Sequence, residues 1–200
     1  SYIFPRTRRP YATKFQNPSN TIRVRIIQVC TSKFQLRGGA EQFCLNLSES
    51  LVLSDHDVTL ITGDRNAPIL HHLPYNCVAI PEIKNLVARK IGFDYFNPSA
   101  IRSFKSIVND ITPDVVHFHS FYGLSSSLVK VAEIHCPVLV TLHDSWVAFV
   151  DSAILVPRFG LSNSYFKVPL GYVHRLINRH LLKNTTLVSP SIWMKKFFQT

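Results

Sequence analysis

The chain has 200 residues and 46% of them are hydrophobic, which is enough for the core of one large domain or of one and a half small ones. Its 22 Lys and Arg residues outnumber its 12 Asp and Glu residues, and the net charge of +10 favours an anionic partner: nucleic acid, a membrane surface or a phosphate-bearing small molecule. Because charged residues are only 17% of the chain, the excess is thinly spread, and we predict no nucleic-acid partner.

Cysteine usage and hydropathy bear on the compartment. The four cysteines form no CxxC motif, which favours free thiols in a reducing compartment, and the N-terminus lacks the apolar segment of a secretory signal. The longest apolar stretch, residues 137–157, is interrupted by His143, Asp144 and Asp151 and is too polar to span a bilayer. We predict a cytoplasmic protein that is able to sit peripherally on a membrane.

The N-terminal segment differs from the rest of the chain. Residues 1–21 carry four basic residues and three prolines but no acid, which predicts an irregular basic arm. From residue 22 onwards, apolar runs alternate with amphipathic segments up to residue 200. We therefore predict two regions, the arm at 1–21 and one folded domain at 22–200.

The alternation in the second region predicts βαβ units. Strands are expected at 24–30, 57–63, 77–83, 114–120, 137–143 and 186–189, and helices at 38–53, 100–111, 124–135, 172–182 and from 191 onwards. The first helix is expected to bury a stripe made of Phe43, Leu47 and Leu51 with Ala40 or Cys44. This order predicts an α/β fold with a doubly wound, mainly parallel sheet, that is, a Rossmann-like domain.

A proline- and histidine-containing insertion interrupts the alternation between Thr62 and Pro98. Its later part, residues 84–96, mixes basic with aromatic and aliphatic residues, a composition that suits the surface of an anionic bilayer. An ordinary insertion packed on the sheet explains the same composition, so both interpretations stay open.

Two adjacent glycines follow the first predicted strand and open the first predicted helix. Gly38 and Gly39 carry no Cβ, so a ligand can approach the main chain of this segment, which continues into Ala40 and Glu41. The N–H groups and the positive dipole end of a helix N-terminus favour a phosphate there. A common tight turn also uses two glycines, so the pair alone does not identify a phosphate site.

Polar pairs follow the fourth and fifth predicted strands, namely His119 with Ser120 and His143 with Asp144. Ligands of doubly wound sheets bind outside the carboxyl ends of the strands where the strand order reverses, so these pairs and the glycines are expected to converge. His117 shares a strand face with His119, and it is explained equally well as a core histidine. A zinc site of His117, His119 and His143 is an alternative, but no further acid or cysteine supports it.

Other nucleotide and hydrolase motifs are missing from the sequence. It contains no GxGxxG, no GxxxxGK[ST] and no GxSxG. A dinucleotide fingerprint, a P-loop and an α/β-hydrolase nucleophile are therefore not predicted.

Four ordered motifs resemble a known family. RGGAEQFCLNLSESL after the strand IRVRIIQV, then PDVVHFHSF, PVLVTLHDSW and LVSPSIWMKKFF, are similar to the N-terminal domain of retaining GT-B glycosyltransferases of glycosyltransferase family 4 (GT4). The resemblance extends from residue 22 to residue 200. It implies one half of a GT-B fold, in which two Rossmann-like domains enclose a cleft and the other domain holds most of the nucleotide-sugar donor.

The resemblance also implies roles for individual residues. Gly38 and Gly39, with the amide of Ala40, match the loop that approaches the donor diphosphate, and His119 matches the histidine that contacts the donor sugar and supports catalysis. His143 and Asp144 match a pair that lines the same cleft, to which Glu41 and Ser120 are assigned as further lining residues. Ser189 and Ser191 match the S-x-S entry to the last helix, a weaker match that a structural role also explains. The family uses no metal, so neither a metal nor another cofactor is expected.

The chain departs from the family in one respect: nothing in it corresponds to the C-terminal donor-binding domain or to that domain's E-x7-E motif. We expect that domain to lie outside this chain, or a partner subunit to replace it, or the chain to be inactive. The predicted function is a retaining, hexosyltransferase-type glycosyltransferase of polysaccharide biosynthesis, which moves a sugar from a nucleotide-diphosphate-sugar to a glycan- or lipid-linked acceptor. The alternative is a non-catalytic Rossmann-like module that contacts a membrane or a partner subunit.

Overall fold

The computed structural model of the chain describes residues 22–30, 39–63, 73–83, 95–121, 123–143 and 167–192. The strands in these residues are β1 (Arg25–Val29), β2 (Asp57–Thr62), β3 (Asn76–Ala79), β4 (Val115–Phe118), β5 (Val138–Thr141) and β6 (Thr186–Val188). The helices are α1 (Gly39–Leu53), α2 (Pro98–Ile111), α3 (Leu128–Glu133) and α4 (Lys167–Leu181). The predicted basic arm, Gly38, Asp144 and most of the insertion at 84–96 lie outside the described residues.

All six strands form one sheet with the order β3-β2-β1-β4-β5-β6, and every pair of neighbours is parallel. This arrangement confirms the predicted doubly wound, Rossmann-like sheet. The strand order reverses between β1 and β4, so a crevice forms at the carboxyl ends of these two strands.

The third helix is shorter than predicted, because its expected first turn is not helical. Gly123 has φ 71° and Ser125 has φ 142°, and neither value is compatible with a right-handed helix. The helix therefore begins only at Leu128 instead of at residue 124. The preceding helix, α2, ends at Ile111. Its C-cap, Thr112, adopts the left-handed conformation immediately before Pro113.

The predicted apolar stripe of α1 is wrong for Phe43, which is 46% exposed. The fully buried residues of this helix are Cys44 and Ser48. Ser48 tolerates burial because its hydroxyl donates to the Cys44 carbonyl oxygen at 2.8 Å. The buried stripe is thus rotated away from Phe43, which lies at the edge of the helix and reaches over the carboxyl ends of the strands.

Helices cover both faces of the sheet. On one face, Ile27 and Val29 of β1 pack in the main core with residues of α2, α3 and β4. This core includes the ring pair of Phe104 in α2 and Phe118 in β4, whose centroids are 6.0 Å apart. Successive strand residues point to opposite faces, so Gln28 and the following Cys30 face the other way, toward α1. Cys30 packs there with Cys44 and Leu60 in a smaller core.

Two further findings concern the cysteines and membrane spans. All four cysteines are free thiols; Cys30 and Cys44 are buried, whereas Cys77 and Cys136 are only half-buried. None of the described helices combines the length and apolar character needed to cross a bilayer.

Candidate functional site

A group of polar side chains lies at the carboxyl ends of β1, β4 and β5, on the sheet face that α1 covers. The strand register pairs Gln28 with His117 and His117 with Leu139, so Gln28, His117 and Thr141 share this face. His119 and His143 continue the same alternation beyond the ends of β4 and β5. The sheet therefore brings together histidines that are 24 residues apart in the chain.

His119 is the central member of this group and is only 3% exposed. Its Nδ1 lies 3.1 Å from Nε2 of His143, and its Nε2 lies 2.6 Å from Oε1 of Gln28. Its backbone N–H donates to the Val29 carbonyl oxygen at 2.8 Å, which extends the pairing of β1 with β4 by one residue. Both ring nitrogens are thus engaged within the protein.

His117 lies directly beneath His119, with the two ring centroids 4.1 Å apart. Its Nε2 is 2.7 Å from the hydroxyl oxygen of Thr141. Burial, together with the neighbouring His143, lowers the pKa of His117 to about 4. Burial, together with His117 and His143, lowers the pKa of His119 to about 2. Both imidazoles are therefore neutral at physiological pH, and each has one N–H donor and one acceptor nitrogen.

Phe43 of α1 closes the group on its outer side. Its ring centroid is 5.7 Å from that of His119 and 5.2 Å from that of His143, where the contact is edge-on. Because His143 is only half-buried, Phe43 and His143 form the outer surface of the group.

The N-terminus of α1 lies next to this group. Gly39 is exposed, and a Cβ placed on it would meet no atom within 4 Å among its neighbours. Phe43 follows four residues later, about 6 Å along the helix axis, and contacts both imidazoles. Packing does not require a glycine at position 39, so the open space above the backbone is available to a ligand.

The remaining predicted site residues have less defined surroundings. Ala40, Glu41 and Ser120 are half-buried and lie in the first turn of α1 and directly after His119. Ser189 donates its hydroxyl hydrogen to the Ser191 carbonyl oxygen at 2.8 Å, which fits a structural role for this pair. Gly38 and Asp144 are outside the described residues.

The zinc alternative finds no support in the geometry. Among the residues that the structure describes, which include His117, His119 and His143, no group of three His, Cys, Asp or Glu side chains is arranged to hold a metal ion. Instead, hydrogen bonds join His119 to His143 and to Gln28, and His117 to Thr141.

Three members of the group, Gln28, Thr141 and Phe43, were missed by sequence reasoning. Gln28 is a polar residue inside the otherwise apolar run VRIIQVC, and a glutamine within a strand buried on both faces needs a polar partner. That observation could have identified it. Phe43 carried no such signal, because an aromatic residue in an amphipathic helix is equally expected in the core.

A buried asparagine, Asn97, connects loops at the carboxyl ends of the strands. Asn97 caps α2, and its Oδ1 accepts from the Ala100 N–H at 3.1 Å. Its Nδ2 donates to the carbonyl oxygens of Pro81 at 3.1 Å and Gly123 at 3.3 Å. Asn97 thereby joins the segments that follow β3 and β4 to the start of α2.

The chain has sequence and structural relatives. The profile of Glycosyltransferase Family 4 matches residues 37–200. An uncharacterized 42.6 kDa protein in the cps region of Klebsiella pneumoniae is 27% identical, over 55% of this chain and 34% of that protein.

Three solved structures share its fold. A glycosyltransferase from Rickettsia africae has a TM-score of 0.55 at 19% identity and is matched over 88% of this chain and 39% of its own. Sucrose-phosphate synthase from Thermosynechococcus elongatus has a TM-score of 0.58 at 14% identity and is matched over 88% of this chain and 45% of its own. The glycosyltransferase VinC, solved in complex with dTDP, has a TM-score of 0.52 at 11% identity and is matched over 83% of this chain and 48% of its own.

The chain spans less than half the length of each of these relatives. Its parallel sheet corresponds to one Rossmann-like half of their GT-B fold. Because the family profile covers most of its residues, the chain belongs to glycosyltransferase family 4.

Proposed function

We propose that this chain is the N-terminal, acceptor-side domain of a retaining glycosyltransferase that transfers a hexosyl group from a nucleotide-diphosphate-sugar. The observation that carries the proposal is the contact of Phe43 with His119 and His143, because it sets the open first turn of α1 beside the imidazole pair. The dTDP bound by VinC supports a nucleotide diphosphate as the leaving group. We propose no metal and no other cofactor.

The chemistry of transfer assigns a task to each part of this site. As the glycosidic bond breaks, positive charge builds on the sugar and negative charge builds on the leaving diphosphate. The backbone amides at positions 38–40, at the positive end of the α1 dipole, would stabilise the diphosphate. The imidazole pair would hold the sugar in reacting geometry, and Glu41, Ser120 and Asp144 would line the cleft around it.

The rest of the enzyme is also part of the proposal. This chain matches less than half the length of each relative. That supports a second, donor-binding domain or a partner subunit that completes the cleft. The free thiols support a reducing, cytoplasmic location. The Klebsiella pneumoniae relative in a cps region supports a role in polysaccharide biosynthesis, with a glycan- or lipid-linked acceptor.

Gly39→Val is expected to lower kcat/KM of the full-length enzyme by about 10²-fold without unfolding it. The two methyl groups would occupy the open space through which the diphosphate approaches the backbone, whereas valine is no worse than glycine in a helix. Release of nucleoside diphosphate from UDP- and GDP-sugars measures the activity, and thermal unfolding measures the stability.

The matched control is Leu53→Val, which places the same β-branched residue at the exposed opposite end of α1. This variant should keep full activity. A folded Gly39→Val enzyme with unchanged kcat/KM would contradict the phosphate-binding role and favour the non-catalytic module.

A membrane-bound acceptor is supported by α4, because the exposed side chains that the structure describes in this helix form one contiguous strip. At about 100° per residue, Arg175, Leu176, Arg179 and His180 fall within one half of the helix circumference. The exposed Lys183 follows two residues after the helix ends. Val173, 49% exposed, extends this strip, and the sequence of α4 contains no acid. Cations beside half-exposed aliphatic side chains suit the headgroup region of an anionic bilayer.

Replacing Arg175 and Arg179 together by Glu is expected to weaken binding to phosphatidylglycerol-containing vesicles by about thirtyfold or more, since each cation near such a surface contributes about 1 kcal/mol. Co-sedimentation with these vesicles, and with pure phosphatidylcholine vesicles, measures the effect. The control exchanges Arg102 and Lys105, which are exposed on α2, for Glu. An equal loss in both variants would show that overall charge, rather than α4, attracts the protein.

A further inference from the structure

Gln28 is the most buried polar side chain of the site, at 1% exposure near the carboxyl end of β1. A buried side-chain amide is costly unless it is hydrogen-bonded, so its partner matters. That partner is the Nε2 of His119, 2.6 Å from the amide oxygen Oε1. The neighbours of Gln28 along β1, Ile27 and Val29, belong to the main core on the other face.

The direction of this hydrogen bond determines the tautomer of His119. An amide oxygen can only accept, so the bond requires a hydrogen on Nε2 of His119. The buried His119 is neutral and carries one ring hydrogen, which leaves Nδ1 with a lone pair. At 3.1 Å from Nδ1, Nε2 of His143 must then be the donor. The two hydrogen bonds therefore run in one direction, from His143 through His119 to Gln28.

Accessibility separates the roles of the two imidazoles. His119 is 3% exposed and both its ring nitrogens are engaged, so a sugar hydroxyl cannot reach them without displacing a partner. His143 is half-buried and shares the outer surface of the group with the ring of Phe43. Of the two, His143 is the imidazole that is placed to meet a ligand.

We propose that Gln28 is a positioning residue of the glycosyl-transfer site: it holds the hydrogen of His119 on Nε2, so that Nδ1 of His119 accepts from His143 and orients it toward the sugar. This inference rests on the proposed function and adds to it a residue that positions the imidazole pair. Among the residues that the structure describes, His117 and Thr141 from the sheet and Phe43 from α1 face the chain of hydrogen bonds.

The tautomer can be measured without any substrate. In full-length protein with ¹⁵N-labelled histidines, long-range ¹H–¹⁵N correlation spectra at neutral pH distinguish a protonated ring nitrogen from one with a lone pair. His119→Gln and His143→Gln variants assign the resonances. We expect Nε2–H with a lone pair on Nδ1 at His119, and Nε2–H at His143. A hydrogen on Nδ1 of His119 would overturn the inference.

The second measurement uses Gln28→Met, which keeps the approximate length of the side chain but removes the acceptor. His119 is expected to lose its single tautomer in the spectra, and kcat is expected to fall by about tenfold to 10²-fold with a smaller change in KM, because the imidazole becomes misoriented. Thr59→Val is the control, a similar loss of a buried polar group in the adjacent strand β2. A single Nε2–H tautomer that persists in Gln28→Met would overturn the inference.

The two proposals fail in different ways. If the wild-type enzyme releases no nucleoside diphosphate from any nucleotide-sugar, the proposed function fails whatever the spectra show. If the enzyme is active and His119 carries its hydrogen on Nδ1, the function stands and the role of Gln28 fails.

Discussion

His119→Ala is expected to lower kcat of the full-length enzyme by about 10²-fold while the protein stays folded. The substitution removes the hydrogen-bond acceptor of His143 and the packing surface of Phe43, so both groups at the outer surface of the site lose their support. Steady-state release of nucleoside diphosphate measures the effect. Full activity in a folded His119→Ala enzyme would contradict any role of this histidine.

His117→Ala provides the matched control, since it deletes a second buried imidazole from the same strand face. His117 bonds to Thr141 and not to His143, so its loss should destabilise the protein to a similar extent but reduce kcat less. Equal losses of kcat in the two variants would show that the effect of His119→Ala comes from general damage to the strand.

The His119→Ala variant also tests the charge state of His119. In the unfolded chain the pKa of a histidine is near 6.5, whereas burial lowers the pKa of His119 to about 2 in the folded protein. Between these pH values the unfolded chain binds more protons, so the free energy of unfolding falls as the pH is lowered, by up to about 1.4 kcal/mol per pH unit for one such group. Urea unfolding at pH values between 6.5 and 4 should show a weaker pH dependence in His119→Ala than in the wild type.

Asn97→Ala is expected to lower the free energy of unfolding by about 3 kcal/mol. The change removes the cap of α2, worth about 0.5–2 kcal/mol, and deprives the carbonyl oxygens of Pro81 and Gly123 of a buried donor, at about 1–3 kcal/mol each if no water replaces it. Denaturant unfolding of the purified protein measures the loss.

Two further variants separate the contributions of Asn97. Asn97→Asp keeps the capping oxygen but sets a buried carboxylate oxygen against the carbonyl oxygens of Pro81 and Gly123, so it should be destabilised at least as much as Asn97→Ala. Asn109→Ala removes an exposed asparagine from the same helix and should change the stability by less than about 0.5 kcal/mol. A loss in Asn97→Ala no larger than that of Asn109→Ala would show that the buried network contributes nothing measurable.

Much of the sheet was predictable because its strands are short apolar runs separated by turns. Strands β1, β2, β4 and β5 lie inside the predicted segments, and their ends differ from the predicted ends by at most two residues. Ends are less predictable because backbone conformation, as at Gly123 and Ser125, prevents a helix from starting where the apolar pattern would place it.

The candidate site was predictable only in outline. Strand ends that carry His119 and His143 follow from the sequence, and parallel strands place such ends at one edge of a sheet. The side-chain contacts do not follow, because Gln28 lies 91 residues from His119 in the chain and the register of β1 against β4 brings the two together. The prediction that Phe43 belongs to the buried stripe of α1 is wrong for a related reason, since the rotation of a helix about its axis is set by what it packs against.

The sequence by itself determined the alternation of strands and helices and the polar ends of the fourth and fifth strands, because local apolar periodicity encodes both. Only the tertiary structure decided which imidazole faces outward and which is enclosed. His117, His119 and His143 are alike in composition, but β1 supplies Gln28 and α1 supplies Phe43, and these two neighbours bury His119 and leave His143 half-exposed. The roles of chemically identical side chains depend on contacts between distant strands, which a local pattern does not specify.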